Sequence, residues 1–200
     1  MASPAMSSLL TAFAPFRGRP RNQSEAVLLE CRTLGMLPTG WRTEVLPVNL
    51  EGLRRFCAVE GARPGLKTWL ALGEGARQGP ARLESLGRNH LDLGDDPASA
   101  GGGILQGELD PGGVVEIAAG WPAGVLVHEL RGEGFEVESS ENAGTHACNA
   151  LLYWGCIAAE KGEGLVGFLH LARQPEKVRE QARLVSALAH HLDFTQAGKG

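Results

Sequence analysis

The feature that most limits what this chain can fold into is a set of short, almost wholly apolar runs separated by stretches of helical periodicity. The runs are "SLLTAFA" from Ser8, "TWLALG" from Thr68 and "LVGFLHLA" from Leu165. A strand this apolar has no face to offer water, so it must be covered on both sides. The helical stretches between the runs supply that cover. The pattern predicts an α/β fold with helices on both faces of a sheet. Ser24 reads as the cap of a helix over "EAVLLECRTL", and Asn49 as the cap of "LEGLRRFCAVEG". "WRTEVLPVN" and "FEVESSEN" read as further strands, and "ARLESLGRNHLDL" as an extended segment. It leads into "GDDPASAGGG" at 94–103, a composition expected of a surface excursion. "AGVLVHELRGEG", "HACNALLYWGCIAAEKG" and "QPEKVREQARLVSALAHHL" read as helices. Neither a repeat nor a linker is evident. The expectation is one domain over 1–200, with a loose tail at 193–200.

Composition narrows the function. Of the 200 residues 43% are hydrophobic, enough for a real core, and the net charge of −4 argues against nucleic acid as a partner. No apolar run approaches the roughly 20 residues that span a bilayer. The N-terminal stretch has no basic flank and is broken by Pro15, so it is expected to be mature protein, not a signal peptide. Cys31, Cys57, Cys148 and Cys156 are scattered, with no C-x-x-C. They fit neither a zinc site nor a disulfide framework, and free thiols suit a cytoplasmic protein.

One of the four is placed unlike the others. In "NAGTHACNALLYWGC" Cys148 falls where a glycine-bearing polar segment becomes an apolar helix. A cysteine without context is read as a small core hydrophobe. In the first turn of a helix, however, unpaired N–H groups and the helix dipole favour the thiolate. Cys156, two turns further on, is the packing cysteine of the same helix. A thiolate nucleophile needs a base. His190, His191 and His128 read as surface residues, His90 is uninformative, and His146 reads as a polar turn residue. His170 ends an apolar strand, and sites in α/β sheets gather at the carboxyl ends of strands. A buried histidine needs a partner, and Glu84, an acid in an otherwise β-like, partly apolar stretch, is a candidate, although α/β domains also carry such residues for structure alone.

These residues lie in a familiar order. "TAFAPFRGRPRNQS" resembles the T-G-F-x-P-F-G-G-x-x-x-N-P-S stretch of the pyroglutamyl peptidase I family of cysteine peptidases. "EVLPVNLEG", "LESLGRN", "ENAGTHACN" and "GFLHLARQPEKV" match its further motifs in register, over nearly the whole chain. The resemblance implies a three-layer α/β/α sandwich with a mixed, mostly parallel sheet. It implies a cysteine exopeptidase that removes an N-terminal pyroglutamyl residue from peptides through a thiol-ester, without metal or organic cofactor. Cys148 would be the nucleophile, His170 its base and Glu84 the group that orients the imidazole. Phe13 and Phe16 would flank the lactam ring and Asn22 would hydrogen-bond to it, with His146 and Ala147 forming another wall. Family members often assemble as dimers or tetramers.

The chain also departs from the pattern. Arg17–Gly18 replaces a Gly–Gly pair, and His146–Ala147 replaces an aromatic–aliphatic pair. Gln78 stands at an arginine position, and Gly94 stands where many members carry an arginine near the site. Arg77 or Arg88 would be the replacement, with the N–H of Cys148 still available to an oxyanion. Weaker or shifted activity is expected. Two other readings stay open at this point. One is a non-catalytic relative that binds pyroglutamyl ends. The other is a cysteine-dependent acyl hydrolase with a different substrate.

Overall fold

The computed structural model describes residues 6–94, 105–160 and 164–197. The apolar runs become the middle of a six-stranded sheet. Its strands are β1 (Ser7–Phe13), β2 (Trp41–Leu46), β3 (Leu66–Glu74), β4 (Ala81–Glu84), β9 (Val137–Ser140) and β10 (Leu165–Leu171), in the order β2-β1-β3-β10-β4-β9. All neighbours run parallel except β10 and β4, which are antiparallel. The sheet is therefore mixed and mostly parallel, as the resemblance implies. Short strands make two small ladders beside it: β5 (Leu86–Arg88) with β8 (Glu116–Ala118), and β6 (Leu91–Asp92) with β7 (Gln106–Gly107).

Strand periodicity divides the core in two. Leu10, Ala12, Leu70, Leu72, Leu169 and Leu171 face one side. There they meet α1 (Gln23–Thr33), α3 (Ala123–Gly132) and α5 (Val178–Ala197). Leu9, Phe13, Trp69, Ala71, Val166 and Phe168 face the other, under α2 (Leu50–Glu60) and α4 (Ala147–Ala159). The indole N–H of Trp69 would be an unpaired donor in the core, but it donates to Thr11 Oγ1 at 2.9 Å.

Two expectations need correction. Helix α1 starts one residue before Ser24, and its cap is Asn22, whose Oδ1 accepts from Ser24 N–H at 3.0 Å. The Ser24 hydroxyl is drawn elsewhere: it donates to Asn22 Oδ1 and accepts from Phe13 N–H. The last helix continues to Ala197, so a tail cannot begin at 193. Leu192 is buried there, and Asp193 accepts from Trp41 Nε1 at 3.1 Å, which ties the final turns to the sheet edge. The segment 95–103 lies outside the described residues. Asn49 does cap α2, accepting from Gly52 N–H at 2.8 Å.

One glycine in β10 is required by contact. A Cβ on Gly167 would fall 1.9 Å from the Trp121 ring. Gly167→Ala is expected to lower stability by about 3 kcal/mol through overpacking, read as a shift of the urea unfolding midpoint.

Candidate active site

Strand pairing assembles the site before any loop contributes. In the antiparallel β10–β4 pair, Phe168 stands opposite Glu84 and His170 opposite Arg82. With a period of two, all four side chains lie on the face covered by α4. Diagonal neighbours across such a pair are within reach of long side chains. His170 Nδ1 and Glu84 Oε1 meet at 2.8 Å, with Glu84 fully buried and His170 6% exposed. The third member comes from α4. His146 holds the cap position, Ala147 opens the helix and Cys148 follows in its first turn. The Cys148 thiol hydrogen-bonds to the His170 ring. Since Glu84 occupies Nδ1, Nε2 is left for the sulfur.

Gly73 makes this meeting possible. It sits beside His170 in the β3–β10 ladder. A Cβ there would come 2.6 Å from the Phe168 ring and 3.0 Å from Cys148 Sγ. Any side chain at 73 would displace the sulfur or the ring that packs at 4.8 Å against the imidazole.

The electrostatics follow from burial and charge. Burial is the largest single influence on His170 and opposes its protonation. The charge and hydrogen bond of Cys148, with those of Glu84, outweigh it and raise the pKa to about 9. Burial would likewise push Glu84 up. The hydrogen bond with His170, the nearby Ser140 side chain, and the charges of His170 and Arg82 hold it below the usual carboxylate value instead. Cys156 is a buried thiol pushed up to about 12, chiefly by desolvation, and Cys31 is pushed up to about 12 for the same reason. All four cysteines are free, and Cys148 alone is half-buried. Among the described residues, no group of three or more His, Cys, Asp and Glu side chains could hold a metal ion.

A cavity of about 400 Å³ opens onto the sulfur. Phe13, Phe16, Asn22, His146, Ala147, Cys148 and His170 line it, together with Glu74, Arg17 and Arg82. Every sequence-derived site residue therefore borders one cavity, save Glu84, which lies behind His170. Asn22 has the least freedom. Its Oδ1 accepts from both Ser24 N–H and Ser24 Oγ, and its Nδ2 donates to Ala14 C=O at 3.3 Å. One amide hydrogen is left for a ligand. Neither Arg77 nor Arg88 reaches the cavity. Arg88 is held by Glu116 at 2.9 Å and by the Glu141 carbonyl. The arginines that border it are Arg17 and Arg82.

The chain as a whole is similar to a known family. The model of that family, described as pyroglutamyl peptidase, matches residues 6–192. The chain belongs to the pyroglutamyl peptidase family. Pyrrolidone-carboxylate peptidase of Brevibacillus brevis is 27% identical over 188 residues, 87% of this chain and 81% of that protein. The Erwinia tasmaniensis protein of the same name is 28% identical over 178 residues, 84% and 79% of the two. The crystal structure of pyrrolidone carboxyl peptidase from Thermus thermophilus superposes with a TM-score of 0.76 at 29% identity, covering 92% of this chain and 99% of that one. The Pyrococcus furiosus enzyme, at 18% identity and a TM-score of 0.81, shares the fold, covering 96% of this chain and all of that one. The α/β/α sandwich is thus the fold of pyroglutamyl peptidases.

Sequence reasoning missed three residues that hold this pyroglutamyl peptidase site. Arg82 and Ser140 are unremarkable in sequence and reach Glu84 only through strand pairing. Asn149, third in α4, is buried. Its Oδ1 accepts from Arg88 N–H, and its Nδ2 donates to the carbonyls of Arg88 and His90, all at 2.8–2.9 Å. A polar residue in the first turn of so apolar a helix was the available signal. It ties α4 to β5. Asn149→Ala orphans three backbone groups, an expected cost of about 2–4 kcal/mol, measurable by chemical denaturation.

The raised pKa of His170 has a sign. Its charged contacts add stability that is fully present below the ordinary histidine value and is lost as pH rises through about 9. The stability advantage of wild type over His170→Gln should therefore shrink between pH 6.5 and 9.5. A flat or growing advantage in urea titrations would contradict this.

Proposed function

We propose that Cys148, His170 and Glu84 carry the hydrolysis of the amide bond that follows an N-terminal pyroglutamyl residue. The observation that supports it most is that three segments remote in sequence converge on one sulfur at a cavity mouth. The chain is a cysteine hydrolase of its family. What is proposed is which atoms do the work and on what. The sulfur, deprotonated by His170, attacks the pyroglutamyl carbonyl. The N–H groups at the start of α4 precede the first helical bond, from Ala150 N–H to His146 C=O, and face the developing oxyanion. His170 then protonates the leaving amine, and the peptide departs. Water, with His170 as base, hydrolyses the thiol-ester and releases pyroglutamate. Glu84 holds the imidazole through Nδ1 and stabilises its positive charge.

The cavity suits the acyl group. Phe13 and Phe16 offer apolar walls to a small uncharged lactam, and Asn22 keeps one amide hydrogen for its oxygen. A site that pairs lactam polar atoms rejects a proline ring, which leaves those partners desolvated and unpaired. The substrates are peptides that begin with pyroglutamate. No described helix is long and apolar enough to cross a membrane. Four free thiols fit a cytoplasmic setting.

The test uses a pyroglutamyl chromogenic amide. Cys148→Ala should lower kcat by at least about 10⁴-fold, and Glu84→Gln by about 10²–10⁴-fold. One equivalent of iodoacetamide should abolish turnover by alkylating Cys148. Tight binding without turnover in the wild type would instead favour a binding protein. Turnover that survives Cys148→Ala would remove the nucleophile from the scheme.

A further inference from the structure

We infer that Arg82 makes this chain select peptides with an acidic residue immediately after the pyroglutamyl group. The inference rests on the pyroglutamyl reading of the site and begins from a mismatch of charge. A pyroglutamyl lactam is neutral, yet the cavity wall carries two arginines, Arg17 and Arg82, and one carboxylate, Glu74. Glu74 is already answered. Its Oε1 lies 2.5 Å from Arg19 Nη2, its Oε2 accepts from Gln23 N–H at 2.8 Å, and Arg173 stands 3.8 Å away. Glu74 is therefore not the partner of Arg82, whose charge the neutral ring does not use.

Arg82 is the arginine on the leaving-group side. It stands directly opposite His170 in the β10–β4 ladder. In the proposed reaction His170 hands its proton to the departing amine, so the residue bearing that amine passes beside Arg82. Phe13, Phe16 and Asn22, which suit the ring, come from β1 and the loop that follows it. The Arg82 side chain is 36% exposed, and its ion-pair partner among the described residues is Glu84, with Nε 3.6 Å from Oε1. That separation is too long for a hydrogen bond. Its guanidinium makes none among the described residues, so its donors are open to a carboxylate. Glu138, its neighbour on β9, forms no ion pair with it there.

The experiment compares kcat/KM for pyroglutamyl-Asp-Ala, pyroglutamyl-Asn-Ala and pyroglutamyl-Lys-Ala amides, following the released dipeptide amide. Wild type should prefer Asp over the isosteric Asn by about fivefold at low salt, less at high salt. In Arg82→Gln the Asp/Asn ratio should fall to about one, whatever happens to the common rate, and Arg82→Glu should favour Lys. Calorimetry with Cys148→Ala should show the same order in binding. A wild-type ratio of one overturns the inference. So does a ratio that survives in Arg82→Gln while both rates fall together, because Arg82 would then act only through Glu84. A protein that neither cleaves nor binds any of the three peptides overturns the pyroglutamyl reading, and this inference with it. Cleavage without acid preference overturns this inference alone.

Discussion

The buried contact between Glu84 and His170 is the constraint around which the rest of the site is arranged. A carboxylate with no solvent exposure is costly unless a positive partner stands against it. The imidazole is that partner, and its own pKa is raised by the carboxylate on one nitrogen and the Cys148 sulfur on the other. The antiparallel step from β10 to β4 is what sets the two side chains diagonally across a ladder. In a parallel pairing the same residues would have a different offset.

A second buried carboxylate organises the other side of the cavity. Glu74 ends the central strand and receives the Gln23 N–H from the first turn of α1, while Arg19 reaches it from the preceding loop. The carboxylate therefore sits where the helix dipole favours it. It pulls the 14–22 segment over the end of the sheet, which brings Phe16 and Asn22 to the cavity. Asn22 caps α1 with the same side chain that borders the cavity, so the placement of the helix and the shape of the pocket are one arrangement.

Much of this was legible from residues alone, for reasons that can be named. Buried strands need apolar side chains on both faces, so β1, β3 and β10 stood out as runs. Helix caps need short polar side chains, so Asn49 was readable. Asn22 and Ser24 are equally good caps two residues apart, and the choice between them fell to a tertiary contact, the Phe13 N–H that takes the Ser24 hydroxyl. Arg88 looked as suitable as any arginine to serve the site, but Glu116 on the paired strand β8 holds it away. The parts played by Arg82 and Ser140 depend on which strands are neighbours and in which direction they run. Local pattern carries no information about either.

What the amino-acid order determined by itself was the kinds of chemistry available and the elements that carry them. These were a thiol at a helix start, a histidine at the end of a buried strand, an acid in an apolar segment, and an alternation that can only be an α/β sheet. Those properties are local, set by side-chain type and by periods of 2 and 3.6. Only the tertiary structure decided which groups touch. Contact between residues 84, 148 and 170 depends on strand order, on one antiparallel step and on the absence of a side chain at Gly73. These are properties of how the elements pack, and no single stretch of the chain contains them.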